Sequence, residues 1–189
     1  EVAPRFIKSE ESLGAKKGTA THLFMQFFDF ENAVKNGVRA ELLRLVEKRF
    51  ITEDDAKLVN LDEVNAFLSS PLFDRMRNAK EIFREQRFNL YLPASEFTTD
   101  EALKEELKEE SILVQGVIDC FFYDDDGEIV LVDYKTDRVP KDKKTAEDKL
   151  KLMYSGQLGY YARAVEEMCK KPPKSKIIFS LALGEAILV

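Results

Sequence analysis

Residues 112–136, ILVQGVIDCFFYDDDGEIVLVDYKT, place two largely apolar segments on either side of an acidic turn. The pattern predicts a β-hairpin with arms at 112–123 and 128–136, and Gly127 suits the left-handed backbone position that closes such a turn. An acidic turn is also a feature of EF-hand calcium loops, but here the ligand spacing is wrong and the closing glutamate is missing. A plain turn is therefore the favoured prediction.

The hairpin register predicts that two acidic residues meet. With a three-residue loop, Tyr123 pairs with Ile129, and Asp119 then lies opposite Asp133 with Lys135 following on the same face. Like charges opposite each other destabilise a sheet, so one acid is protonated, the lysine pairs with them, or a divalent cation bridges them. Two carboxylates, a carbonyl and waters suit Mg²⁺ or Mn²⁺. The alternative is a surface hairpin whose charges face water.

The N-terminal part of the chain predicts helices. Residues 1–17 are expected to be irregular, and residues 18–83 to form an α-helical lobe. Thr19 or Thr21 is suited to cap the first helix, and Gly37 to end it. Shorter helices are predicted after it from apolar residues at helical spacing and from a helix start at Thr52. Ser70-Pro71 is expected to break the helical run, which resumes at 72–78.

The C-terminal part, residues 84–189, predicts a sheet core. Its further elements are a strand at 83–92, an exposed charged helix or loop at 101–110, a helix at 145–170, and strands at 176–183 and 186–189. We therefore expect one domain, residues 1–189, of mixed α/β class, with a central mixed β-sheet flanked by helices and an N-terminal helical lobe. Because the chain does not begin with Met, we also expect it to be a fragment of a longer protein.

The composition limits the classes of function. The net charge is −6 with a pI near 5.1, which argues against an avid stand-alone DNA binder but leaves room for a local basic groove. Two cysteines lack the spacing of a zinc or iron–sulfur site and fit a reducing cytoplasm. No apolar run approaches the roughly 20 residues of a membrane helix, so no membrane partner is expected. The cations expected in a local groove are Lys16, Lys17, Lys135, Arg138, Lys141, Lys143 and Lys144.

Three further residues are candidates outside the hairpin. His22, the single histidine, lies near the predicted helix start, where a capped or packed histidine is the usual case and a metal ligand the alternative. Gln157 and Tyr161 are one helical turn apart and share a face. Tyr161 suits the core with Gln157 at its edge, but an amide on a mostly apolar face needs a polar partner.

Four short motifs in order resemble the RecB-type branch of the PD-(D/E)XK nuclease superfamily. They are GTATH at residues 18–22, GVID at 116–119, DYKT at 133–136 and QLGYY at 157–161. Each motif alone is weak, whereas all four in order with compatible spacing are strong. The resemblance extends from about Arg5 to Val189, and the longer stretches VQGVIDCFF and DGEIVLVDYKTDRV are most similar to the C-terminal nuclease domain of AddA-type helicase–nucleases.

The resemblance implies a restriction-endonuclease-like core and a role for each matching residue. His22, Asp119 and Asp133 would ligate Mg²⁺ or Mn²⁺, with the Tyr134 carbonyl as a further ligand. Lys135 would orient or deprotonate the attacking water or balance charge on the phosphate. Glu85 would support the metal site, and Gln157 and Tyr161 would together hold the lysine and the substrate backbone.

Two departures from the family pattern bear on these roles. Arg87 stands where the family usually has a proline, which makes the Glu85 match less secure. The cysteine cluster of some iron–sulfur relatives is missing, in agreement with an AddA-like rather than an AddB-like domain.

The implied function is a metal-dependent DNA exonuclease module that leaves a 5′-phosphate and a 3′-hydroxyl. No Walker A glycine loop is present, so the helicase motor would lie upstream in a parent protein that feeds single-stranded DNA to this domain. The partner would be a second, AddB-like nuclease subunit. The alternatives are a stand-alone single-strand exonuclease of the same superfamily and a non-catalytic DNA-binding module that retains the fold.

Overall fold

The computed structural model describes residues 13–140 and 142–189. The irregular structure predicted for residues 1–12 and the groove role predicted for Lys141 lie outside the described residues. Within the described ranges, no helix combines the length and the apolar character that crossing a membrane requires.

A five-stranded mixed sheet lies at the centre of the fold. Its order is β1 (Glu81–Pro93), β2 (Ser111–Tyr123), β3 (Ile129–Lys135), β4 (Ser175–Ser180) and β5 (Glu185–Leu188). All neighbouring strands are antiparallel except β3 and β4, which are parallel. A parallel pair needs a crossover, which the long helix α8 (Lys143–Cys169) supplies. The predicted mixed α/β class is therefore confirmed.

The predicted hairpin is confirmed in its turn and its register. Tyr123 pairs with Ile129, and the Asp124 amide donates to the Glu128 carbonyl at 2.9 Å. Gly127 has a φ of 77°, the left-handed conformation expected of it. The β2–β3 ladder then ends at the pair formed by Cys120 and Val132, so the two acids of the predicted register lie just beyond it.

From Leu13 onward, where the structure describes the chain, six helices form the N-terminal lobe. They are α1 (Leu13–Phe27), α2 (Phe30–Asn36), α3 (Val38–Glu47), α4 (Glu53–Ala56), α5 (Leu61–Leu68) and α6 (Pro71–Arg77). The Thr52 side chain caps α4, as the sequence predicted. At the predicted break, the Ser70 side chain caps α6, a role that the sequence analysis did not assign to it. Between β1 and β2 lie a short 3₁₀ segment (Ala94–Phe97) and α7 (Glu101–Glu106), a charged helix with no buried residue.

The start of the lobe differs from the prediction. Helix α1 already includes the first described residue, Leu13, so the irregular structure expected through residue 17 is wrong for 13–17. Thr19 and Thr21 do not cap it but lie inside it, and their hydroxyls donate to the carbonyls four residues earlier. Threonine tolerates a helix interior in this way because its hydroxyl is satisfied by the preceding turn.

A second cap divides what the sequence predicted as one helix ending at Gly37. The Asp29 carboxylate accepts a hydrogen bond from the backbone amide of Asn32, and α2 starts there. The Asp29 amide donates at 2.7 Å to Glu41, a fully buried carboxylate that also binds Arg44 and Asn32. Burial raises the pKa of Glu41, but the hydrogen bonds from Arg44, Asp29 and Asn32 outweigh burial, so its pKa is lower than usual.

The sheet separates two apolar cores. The lobe-side core packs the helices of the lobe against one face of the sheet and includes Phe24, Phe67, Tyr134 and Phe179. The α8-side core packs α8 against the other face and includes Phe88, Phe121, Leu158, Tyr161 and Val165. The end of the sheet where β2 and β3 separate therefore lies between α1 and α8, which brings the predicted motifs from both helices towards it.

Candidate active site

An irregularity in the sheet sets the position of two acidic residues. Glu85 on β1 and Asp119 on β2 lie opposite each other, and the strands pair on both sides of them without a change of register. On β2, Phe121 and Ile118 both lie in the α8-side core, although strict alternation would place them on opposite faces. Glu85 has a φ of 51°, which is rare for any residue but glycine. The regular pleat is thus interrupted where the two acids meet.

The Asp119 carboxylate lies where strands β2 and β3 separate. Its Oδ2 accepts a hydrogen bond of 2.8 Å from the backbone amide of Tyr134, the residue that follows Asp133. Its Oδ1 lies 3.5 Å from Nδ1 of His22. One carboxylate therefore joins the DYKT strand to the helix that carries the histidine.

A close approach of α1 to the end of β3 places His22. A Cβ on Gly18 would lie 2.9 Å from the Thr136 hydroxyl, so the glycine lets the helix approach this closely. His22 follows one turn later, with its side chain 32% exposed. Burial lowers the pKa of His22, but the hydrogen bond and the charge of Asp119 outweigh burial, so its pKa is higher than usual.

Glu85 completes a group of three ligand-type side chains. One ligand atom each from His22, Glu85 and Asp119 lie within 4.8 Å of one another. Burial and the charge of Asp119 both raise the pKa of Glu85, because ionisation places a second anion beside the first. A cation between these groups would relieve that repulsion.

Asp133 lies beside this group in a drier position. It is 1% exposed, and burial together with the charge of Asp119 raises its pKa to about 6. Lys135 Nζ lies 2.8 Å from Asp133 Oδ2, yet among residues 13–140 and 142–189 no donor is aimed at this oxygen with hydrogen-bond geometry. The buried carboxylate thus keeps a lone pair available for a further positive ligand.

The donor set fits a divalent cation. Carboxylate oxygens with one imidazole suit Mg²⁺ less well than Mn²⁺, for which nitrogen is a more acceptable ligand. The sequence predicted His22, Asp119 and Asp133 as ligands with Glu85 in support. The structure groups Glu85 with His22 and Asp119, whereas Asp133 is ion-paired with Lys135 at the edge of that group.

A chain of polar side chains runs from Lys135 along α8. Lys135 Nζ donates to Gln157 Oε1 at 3.0 Å, and Gln157 Nε2 donates to the Tyr161 hydroxyl at 2.7 Å. The polar partners that an amide on this face requires are thus Lys135 and Tyr161. Burial together with the charges of Asp133 and Asp119 raises the pKa of Tyr161 to about 12, so its hydroxyl stays protonated at neutral pH.

Sequence reasoning missed an aromatic ring beside the lysine and the carboxylate that binds this ring. The ring centroid of Tyr154 lies 4.1 Å from Lys135 Nζ, and the Tyr154 hydroxyl donates to Asp137 Oδ2 at 2.8 Å. Tyr154 belongs to the apolar stripe of α8, and its position one turn before Leu158 was the available signal. Asp137 follows the DYKT motif directly, but nothing in the sequence pairs it with a tyrosine.

The Tyr134 side chain packs in the core, whereas its backbone faces the candidate active site. Its ring is 2% exposed in the lobe-side core, edge-on to Phe67 with centroids 5.5 Å apart. Its amide binds Asp119, and the ligand role of its carbonyl stays a prediction.

The basic residues expected in a groove are divided among different surroundings. Lys17 and Arg138 line a cavity of about 740 Å³ next to Gly18 and Thr136. Lys143 instead pairs with Glu185 at 2.6 Å. The cavity lining also includes the acids Glu63 and Asp137, and the groove role of these cations stays a prediction.

Comparison with known proteins agrees with this geometry. Residues 3–188 match the family described as the PD-(D/E)XK nuclease superfamily, and the chain belongs to that superfamily. It is therefore a nuclease domain with the fold that the four motifs implied.

Its relatives define the type of nuclease domain more narrowly. An ATP-dependent helicase/nuclease of the AddA type from Heliobacterium modesticaldum is 37% identical over 188 residues, which cover 97% of this chain and 13% of the relative. Its counterparts from Ruminiclostridium cellulolyticum and Bacillus licheniformis are 36% and 35% identical, covering 97% and 98% of this chain and 14% and 15% of their own lengths. The chain thus spans about one seventh of these relatives, and its predicted resemblance to the nuclease domain of AddA-type proteins is confirmed.

Proposed function

We propose that this domain hydrolyses DNA phosphodiester bonds with the help of Mg²⁺ or Mn²⁺. The observation that carries the proposal is the convergence of His22, Glu85 and Asp119 beside a buried carboxylate, Asp133, that is paired with Lys135. Such a set of opposed acids, one imidazole and one ammonium is expensive to assemble without a function, because each buried charge must be stabilised by another group.

We propose His22, Asp119, Asp133 and the Tyr134 carbonyl as the groups that hold the cation, with Glu85 as a further ligand or support. When bound, the cation would lower the pKa of a water molecule and stabilise negative charge on the phosphate. The raised pKa values of Glu85 and Asp133 support this assignment. Burial and the charge of Asp119 disfavour both anions, and a bound cation would offset this effect.

Lys135 would act on the phosphate, and the side chains around it would hold it in position. Its ammonium would place positive charge where negative charge develops during hydrolysis. Gln157 accepts a hydrogen bond from Lys135 and donates one to Tyr161, so the amide directs the lysine and is itself held by a protonated phenol. Because Asp133 also lies 2.8 Å from Lys135 Nζ, it sets the position of the ammonium on a second side.

The names of the relatives support a wider setting for this chemistry. We propose that the chain is one nuclease domain, an exonuclease module that acts in the cytoplasm in double-strand break repair by recombination. Helicase domains upstream would deliver single-stranded DNA to it, and an AddB-like second nuclease subunit would be its partner. The parent protein would then supply the DNA grip that an overall charge of −6 denies to this domain.

The direct test is degradation of end-labelled single-stranded DNA by the 189-residue chain, with Mn²⁺, with Mg²⁺ and with chelator. We expect cleavage with either metal, with Mn²⁺ at least as effective as Mg²⁺, and none with chelator. Lys135→Ala should lose most of the rate. Lys174→Ala is the matched control, because this exposed lysine pairs with Asp126 at the distant hairpin turn.

Asp133→Ala separates an enzyme from a DNA-binding module. In an enzyme, this change abolishes cleavage and leaves DNA binding nearly unchanged. A chain that is folded by circular dichroism but cleaves DNA with neither metal contradicts the proposal.

A further inference from the structure

The Lys135 ammonium has one neighbour that none of the four motifs includes. Two of its neighbours are polar: Asp133 Oδ2 lies 2.8 Å from Nζ and Gln157 Oε1 lies 3.0 Å from it. The third is the ring of Tyr154, whose centroid lies 4.1 Å from Nζ. An ammonium at this distance from a ring centroid is attracted by the negative potential of the aromatic face.

The ring is itself fixed in place. The Tyr154 hydroxyl donates to Asp137 Oδ2 at 2.8 Å, and the ring packs at the edge of the α8-side core. Burial and the neighbouring Asp137 carboxylate raise the pKa of Tyr154, so the phenol remains a donor. Asp137 follows Lys135 by two residues, so the segment that carries the lysine also holds the ring that contacts it.

An aromatic face has an advantage over a carboxylate in this position. A lysine side chain has many rotamers, and an ammonium that must face a phosphate loses efficiency whenever it swings away. A further acid would hold it but would also compete with the phosphate for its charge. A ring attracts the ammonium without adding a full negative charge.

We propose that Tyr154, held by Asp137, is a positioning residue that keeps the Lys135 ammonium directed at the scissile phosphate. This inference rests on the proposed nuclease function and adds a residue to it. Tyr154 does not bind substrate in this scheme, so its loss affects turnover through Lys135 and leaves the affinity for DNA unchanged.

The kinetic test compares three variants of α8. We expect Tyr154→Leu to lower kcat about tenfold with KM changed less than about twofold, as loss of a partly desolvated cation–π contact predicts. Tyr154→Phe keeps the ring and should retain most of the activity. Tyr160→Leu, which removes another half-buried tyrosine of the same helix, is the matched control and should match wild type.

A spectroscopic test reads the contact without activity. In protein carrying ¹³C-labelled lysine, the Lys135 ε-methylene signal, assigned by its loss in Lys135→Ala, should be shifted upfield by the ring current. The shift should persist in Tyr154→Phe and disappear in Tyr154→Leu, with chelator present throughout.

The outcomes separate this inference from the proposed function. An inactive but folded wild-type chain refutes the nuclease function, and the inference falls with it. An active wild type with an unaffected Tyr154→Leu variant, or with a Lys135 signal that does not move, refutes the positioning role alone. A loss confined to KM also refutes it, because that result assigns Tyr154 to DNA binding.

Discussion

Replacement of Gly116 by alanine tests how tightly the α8-side core is packed next to the GVID motif. An added Cβ would lie 2.8 and 2.9 Å from two ring atoms of Phe88 and 3.7 Å from Tyr161. Carbon atoms in contact are normally separated by about 3.5–4.0 Å, so the Phe88 ring must retreat by roughly 0.7 Å or more. Phe88 is 7% exposed and packs edge-on against Tyr161, so it has little space to enter.

The expected cost follows from two opposing effects. Overpacking a core by one methyl group destabilises a protein by about 1–3 kcal/mol. Replacing glycine by alanine at an unstrained position restores about 0.4–1 kcal/mol by restricting the unfolded chain. We therefore expect Gly116→Ala to reduce the free energy of unfolding by about 1–2 kcal/mol, or to lower Tm by roughly 3–6 °C.

The assay is urea unfolding followed by circular dichroism. Gly156→Ala is the matched control. Within residues 13–140 and 142–189, a Cβ built on Gly156 has no atom within 4 Å apart from its chain neighbours and its own helix backbone, and the exposed helical position should gain about 0.5–1 kcal/mol. In a Phe88→Leu background, which removes the ring atoms that clash, Gly116→Ala should cost close to nothing. A Gly116→Ala variant as stable as wild type, or an unchanged cost in the Phe88→Leu background, refutes the reasoning.

Three further predictions concern the lobe and the site. The folded pKa of Glu41 lies below its ordinary value of 4.5, so its contribution to stability is present above about pH 4.5 and is lost as the pH falls through the lowered value. Glu41→Gln should therefore reduce the free energy of unfolding in urea by about 1–3 kcal/mol at pH 7. The difference between the variant and wild type should shrink below pH 4.5. Gly18→Ala should push α1 away from Thr136 and weaken Mn²⁺ binding measured by calorimetry, and a Thr136→Ala background should restore it. Mn²⁺ at 100 times its Kd should stabilise the wild-type chain by about 2.7 kcal/mol in thermal unfolding, and a His22→Ala variant that gains as much at the same concentration would count against the ligand assignment.

The hairpin and several helix boundaries could be predicted from the sequence because their causes are local. The acidic turn and Gly127 fix the loop, and the loop fixes the register that pairs Tyr123 with Ile129. Thr52 caps α4 within its own turn, and Ser70-Pro71 separates α5 from α6 where the break was predicted. The prediction failed at the start of α1. The hydroxyls of Thr19 and Thr21 suit a helix cap, but both instead donate to carbonyls one turn earlier inside the helix.

The resemblance supplied the residues of the candidate site, but their arrangement required the fold. The register alone predicted Asp119 beside Asp133, whereas the structure separates the strands there and lets Asp119 bind the Tyr134 amide. The group of three ligand-type side chains draws on α1, β1 and β2, and Glu85 enters it at a backbone conformation that no sequence pattern indicates.

The sequence by itself determined which chemistry is present, namely the DYKT strand end, the acid of the GVID motif and the amide one turn before Tyr161. Only the tertiary structure decided that α1 approaches β3 at Gly18, that Glu85 lies opposite Asp119, and that the Tyr154 ring meets Lys135. Turns and caps depend on interactions between neighbours in the chain, which composition and spacing reveal. Contacts between distant segments depend on how the two faces of the sheet are filled, and that packing is decided by all the segments together.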